Sequence, residues 1–234
     1  MDEKRSSSIM LAGFWSAVLC MVFSIAYVVG QIAEWRGWLG SSGGPESSST
    51  TLGIFVLLPP SLLLGSAFLM LLVCVHQWAP AERRVWSAAA VAFGGVYVTL
   101  ISMTYFVQLT LVAPRLARGD TTGIEMFLFV PFDSFLYAVD ILGYSFMSVA
   151  TLLAALVFTG DGAERVARVF LRANGLLLPF LALQMYYHPL IWVASLWAIT
   201  FPGAMCALAL VFRRGAPLDV VAPERAIPAL ERAW

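Results

Sequence analysis

Charged residues are scarce. Asp, Glu, Lys and Arg make up 12 % of the 234 residues, against about 25 % in a soluble globular domain. A chain of this size still needs a polar surface to live in water, so an ordinary soluble enzyme and a disordered regulator are both excluded. The 14 basic and 14 acidic residues leave a formal charge of zero, so no global field draws a polyanion, and nucleic acid is excluded as a partner. Cysteine occurs three times, as Cys20, Cys74 and Cys206, each alone within an apolar run. That spacing gives neither a CxxC redox site nor a zinc site, and the three read as small buried hydrophobes. The two histidines, His76 and His188, fall on opposite faces of the predicted membrane protein and cannot share one metal.

Other absences narrow the chemistry. No apolar run contains lysine, which excludes a retinal Schiff base. No pair of buried histidines faces across helices, as a b-type haem requires. HExxH, GxSxG, a Ser–Lys pair, a Walker motif and a selectivity-filter repeat are all missing. No cofactor and no metal is therefore expected.

What fills the chain is apolar: 60 % hydrophobic residues and a mean hydropathy of +0.84. A membrane span takes about 20 apolar residues. Six runs qualify: Ile9–Ile32, Leu52–Trp78, Val85–Val112, Ser134–Phe158, Val169–Tyr186 and Leu190–Phe212. The first is too long for the hydrophobic core of a signal peptide and reads as an uncleaved span. The expected fold is all-α, a polytopic integral membrane protein of six transmembrane helices over residues 1–214, with a flexible cytoplasmic tail over 215–234. The short apolar stretch Thr121–Pro131 reads as an interfacial or re-entrant piece, with Pro131 breaking the chain before the fourth helix. The Gly/Ser-rich loop from Gly37 to Thr51 reads as flexible. Prolines at Pro59–Pro60 and Pro179 stand in the middle span of each half, a weak pointer to interrupted helices in an inverted repeat.

Orientation follows from positive charge. With the amino terminus inside, the inner segments hold eleven Lys and Arg residues and the outer loops only Arg36, Arg115 and Arg118. Both termini are then cytoplasmic, in the cell membrane of a prokaryote. Trp35 and Trp38 sit at the outer interface, and Trp78 and Trp86 at the inner one.

Polar residues inside spans are costly in lipid and mark function. The fourth span carries Asp133, Tyr137, Asp140, Tyr144 and Ser148 at spacings of 4, 3, 4 and 4, one stripe of a helix. Asp133 can cap the helix amino terminus. Asp140 lies about 10 Å deeper at 1.5 Å per residue, with no basic residue at its depth to pair with. It can then be held neutral, donating to Tyr or Gln, or carry a proton. The third span offers Tyr97, Thr104, Tyr105 and Gln108 at matching depth, with Ala88, Ala90, Ala92 and Gly94 spaced for close packing at its other end. Gln31, Glu34, Gln184, Tyr186, Tyr187 and His188 add polar groups at the outer end. Glu34 reads as solvated or paired with Arg36, and His76 as reaching for headgroups.

The expected ligand-binding residues are Asp140, Tyr137, Tyr144, Asp133, Tyr105, Gln108, Thr104 and Gln184, lining an acidic, aromatic cavity open outward. Three functions fit. The first is handling of a small lipophilic or amphipathic ligand, as in a small transporter. The second is an intramembrane enzyme using Asp140 as acid or base on a terpenoid- or sterol-like substrate. The third is a non-catalytic partner subunit. Expected partners are the lipid bilayer, a small lipophilic ligand and further copies or other subunits.

Overall fold

A computed structural model describes residues 2–44, 50–130 and 132–214. It is all-helical, with 80 % helix, and six helical segments are long and apolar enough to cross a membrane: Ser7–Trp35, Thr51–Trp78, Ala81–Ala117, Phe135–Ala155, Ala163–Leu183 and His188–Arg214. Pro131, residues 45–49 of the Gly/Ser-rich loop and the tail from 215 lie outside the described residues. Each span packs on the next, and the sixth returns to the first, so the bundle is a closed ring. One end carries residues 2 and 214 and is called here the termini end. Residues 36–44, 118–130, 132–134 and 184–187 lie at the other, the loop end.

The outside of the ring is apolar. On the first span Leu11, Trp15, Leu19, Val22, Ile25, Val29 and Ile32 are all exposed. They recur every three or four residues and so form one stripe. Ala17, Cys20 and Ser24, on the other side, are fully buried. A soluble monomer does not expose apolar surface on this scale; lipid accommodates it, provided that every backbone group is satisfied inside its helix.

Helix edges depart from the sequence pattern for identifiable reasons. The third span runs on to Ala117 through a π-helical segment, Gln108–Val112. Pro114 follows directly, and its ring has no N–H and collides with the carbonyl four residues back, so the backbone widens just ahead of it. The fourth helix is capped by Ser134, whose Oγ accepts from Tyr137 N at 3.1 Å. Asp133, expected in that role, is exposed one residue too early. The same helix stops at Ala155 rather than Phe158. Arginines take the freed carbonyls: Arg83 Nη1 donates to Leu156 O at 2.6 Å and Arg168 Nη1 to Phe158 O at 2.8 Å. Trp78 stacks on Phe158 with ring centroids 5.2 Å apart. His76 pairs with Ser87 Oγ at 2.9 Å.

The fifth span starts earlier than its apolar run, at Ala163, and breaks after Gly175 to resume at Leu178–Leu183 with Pro179 in its first turn. The second span, in contrast, runs unbroken through Pro59 and Pro60. The expected pairing of interrupted helices is therefore not met. Of the small residues on the third span, Ala90 and Gly94 are buried while Ala88 and Ala92 are exposed. A Cβ at Gly94 would stand 2.3 Å from Leu72 Cδ1, so this glycine lets the second and third helices approach.

Candidate functional site

Aromatic side chains fill the middle of the ring. Phe68 packs on Tyr97 at 5.8 Å between centroids, Tyr97 on Tyr144 at 5.8 Å, Tyr144 on Trp197 at 6.1 Å, Trp197 on Phe201 at 5.4 Å, and Phe201 back on Phe68 at 5.6 Å. Tyr27 meets Trp197 edge-on at 6.0 Å. Edge-to-face and offset pairs of this kind are favourable beyond the area they bury. The closed circuit draws one or two rings from the second, third, fourth and sixth spans.

Asp140 sits among these rings. It is 7 % exposed, and its Oδ1 has no hydrogen-bond partner. Tyr105 stands against the carboxyl. Tyr27, Tyr97, Tyr137 and Tyr144 lie within electrostatic range of it. Tyr105 and Tyr144 share a hydrogen bond of 2.9 Å between their hydroxyls. Tyr137 donates to Gln184 Oε1 at 3.2 Å, and Tyr27 donates to Gln31 Oε1 at 3.2 Å. Tyr97 OH, Thr104 Oγ1 and Trp197 Nε1 are buried without a partner. Buried polar atoms are nearly always hydrogen-bonded, so this concentration marks the cluster as chemically unfinished.

The residues proposed from sequence thus fall into three groups. Asp140, Tyr105, Tyr137 and Tyr144 come together, with Thr104 buried on the same helix as Tyr105. Gln184 joins through Tyr137. Gln108 is buried but turns away, its Nε2 donating to Phe127 O at 2.6 Å, which draws the segment around Phe127 against the bundle. Asp133 is exposed. Tyr186 and Tyr187 are exposed too, at 90 % and 63 %, so they add nothing to an internal cavity. His188 stacks on Phe132 at 4.6 Å.

Sequence pattern missed Tyr27 and Trp197. Each is one of several rings in a run without a polar stripe, so nothing in its own helix marks the inward face. Also missed was Asn174, which ties three spans together: its Nδ2 donates to Thr151 Oγ1 at 3.2 Å, and Thr200 Oγ1 donates to its Oδ1 at 3.1 Å. An asparagine beside a glycine near a helix end gave no sign of such burial.

A cleft of about 100 Å³ opens at the loop end, lined by Gln31, Glu34, Trp35, Thr50, Gly53 and Phe129 among others. Glu34 is 7 % exposed and its Oε2 has no partner. It makes no ion pair with Arg36; the ion pair found among the described residues joins Arg115 and Asp120 at 3.1 Å. A Cβ at Gly53 would come within 2.7 Å of Glu34 Oε2, so the missing side chain is what admits the carboxylate. Gln31 belongs both to this cleft and to the hydrogen bond with Tyr27, and so connects the cleft with the shell around Asp140. Among the described residues no three His, Cys, Asp or Glu side chains gather as a metal site requires.

No family model matches the chain, and no curated protein or solved structure is detectably similar to it.

Proposed function

We propose that this is a multi-pass protein of a cell membrane, with both termini cytoplasmic, that handles a small lipophilic or amphipathic ligand at Asp140 and its tyrosines in the outer half of the bundle, in the manner of a small transporter. What supports this is Asp140 itself: an acid buried in the second turn of its helix, with one carboxyl oxygen unpartnered, Tyr105 against the carboxyl and no ion pair among the described residues. A purely structural carboxyl is expected to be fully hydrogen-bonded across helices. Ionisable groups within spans are rare, face the interior and mark ligand or proton pathways. Ring faces and hydroxyls together suit a ligand with an apolar body and a polar or cationic tip. Access runs from the loop-end cleft through Gln31 and Tyr27.

The test is thermal stability of purified wild type and Asp140→Asn in nanodiscs, with and without fractions of a native lipid extract. A fraction that raises the Tm of wild type but not of Asp140→Asn supports the function and identifies the ligand class. Equal stabilisation of both proteins by every fraction overturns it.

A further inference from the structure

We infer that the loop-end cleft is a second site, for an organic ammonium group, held by the Glu34 carboxylate beside the rings of Trp35, Phe129 and Phe132 that line the cleft. The site lies at the mouth of the access route proposed above, and its occupancy does not depend on the Asp140 carboxyl. Three observations converge on it. Glu34 is more than nine-tenths buried and lines the cleft, and its Oε2 has no hydrogen bond. Among the described residues no arginine, lysine or histidine lines the cleft. A buried carboxylate without a counter-charge is costly, so a cation from outside the chain completes it. Gly53 supplies the space the carboxylate occupies, since a Cβ there would stand 2.7 Å from Oε2.

The other polar groups decide what kind of cation. Thr50 Oγ1 already donates to Leu39 O at 2.9 Å and accepts from Gly53 N at 2.9 Å. Gln31 Oε1 already accepts from Tyr27. One uncommitted carboxylate oxygen does not satisfy a hard metal ion such as calcium, which takes about 6–8 oxygen ligands. An alkylammonium needs only one carboxylate and aromatic faces, which attract it through their quadrupoles. The volume fits as well: about 100 Å³ is well below the roughly 300–1,000 Å³ of a drug-sized pocket and admits a headgroup-sized cation. Such a group reaches the cleft either as a free amine or as the headgroup of a phosphatidylethanolamine or phosphatidylcholine lipid.

Full-length protein in phosphatidylglycerol nanodiscs is titrated with tetramethylammonium chloride, against sodium chloride at equal ionic strength. Wild type is expected to gain about 2–4 °C in Tm at saturating tetramethylammonium. Glu34→Gln, which keeps the side-chain size, is expected to gain nothing, and Phe129→Leu, which keeps the apolar fill but removes a ring face, less than half. Asp140→Asn should respond like wild type, which separates this site from the function proposed above. The same proteins in phosphatidylethanolamine nanodiscs distinguish the sources. If the headgroup is the occupant, wild type is already stabilised relative to its value in phosphatidylglycerol, Glu34→Gln is not, and added tetramethylammonium does nothing. If a free amine is the occupant, the lipid change has no effect and the titration still works. Wild type and Glu34→Gln responding alike in both lipids, or sodium matching tetramethylammonium, overturns the inference.

Discussion

The hydroxyl oxygens of Tyr105 and Tyr144 stand 2.9 Å apart, joining the third and fourth spans beside Asp140. Both rings are held by packing: Tyr144 lies against Tyr97 and Trp197, and Tyr105 is 1 % exposed. Interhelical hydrogen bonds in membrane proteins average about 0.6 kcal/mol and reach about 1.7. A double-mutant cycle of Tyr105→Phe and Tyr144→Phe should therefore show a coupling of about 0.6–1.7 kcal/mol. Additive single mutants in an unfolding titration would mean that the two hydroxyls do not interact.

Asp140→Asn should leave stability within about 1 kcal/mol of wild type, because the amide has the same volume and keeps its hydrogen bonding. Ligand-dependent behaviour should be lost. Asp140→Leu removes the polar contact with Tyr105 and should be the less stable variant of the two. If Asn costs as much as Leu, the carboxyl is a structural element of the bundle.

Three glycines give a graded packing test. At Gly175 a Cβ would meet Leu152 Cγ at 2.1 Å and the Ser148 carbonyl at 2.8 Å. Backbone cannot yield as a side chain can, so Gly175→Ala should cost about 1–3 kcal/mol through overpacking. Gly94→Ala meets only the tip of Leu72 and should cost less. Gly95→Ala meets nothing within 4 Å and should be neutral or slightly stabilising. Thermal unfolding in detergent that ranks the three differently would contradict the helix packing.

Asn174→Leu should destabilise by about 1–2 kcal/mol, in the range for buried polar groups that lose their partners. It strips Thr151 and Thr200 of the residue that bridges them. Asn174→Asp, which keeps two acceptors but loses the donor to Thr151, should fall between. Equal Tm values for wild type and the leucine variant would remove this network from the account of the fold.

Reporter fusions after Arg214 and within the Ser41–Thr50 loop should report opposite sides of the membrane, with the carboxyl terminus inside. The eleven-to-three distribution of Lys and Arg motivates the orientation. Same-side signals would overturn it, and with it an outward-facing cleft.

The sequence by itself determined the class of fold, six apolar spans and the stripe that carries Asp140. Those are properties of one helix at a time: apolar length sets a span, and 3.6-residue periodicity sets a face. Matched depth on adjacent antiparallel helices also brought Tyr105 near Asp140, because neighbours in sequence are neighbours in the ring. Tertiary structure alone decided the rest. Tyr27 and Trp197 meet because the sixth span closes on the first, a contact between chain ends that no local pattern encodes. Gln108 shares a helical face with Thr104, yet the π-helical turn and the Phe127 carbonyl claim its amide. Asp133 yields the cap to Ser134, since only one residue can hold the extended conformation just before the first helical turn. Glu34 stands next to a tryptophan at a helix end, a place where a carboxylate is ordinarily solvated. It is buried because the second helix presents Gly53, and no side chain, at the point where the two helices meet.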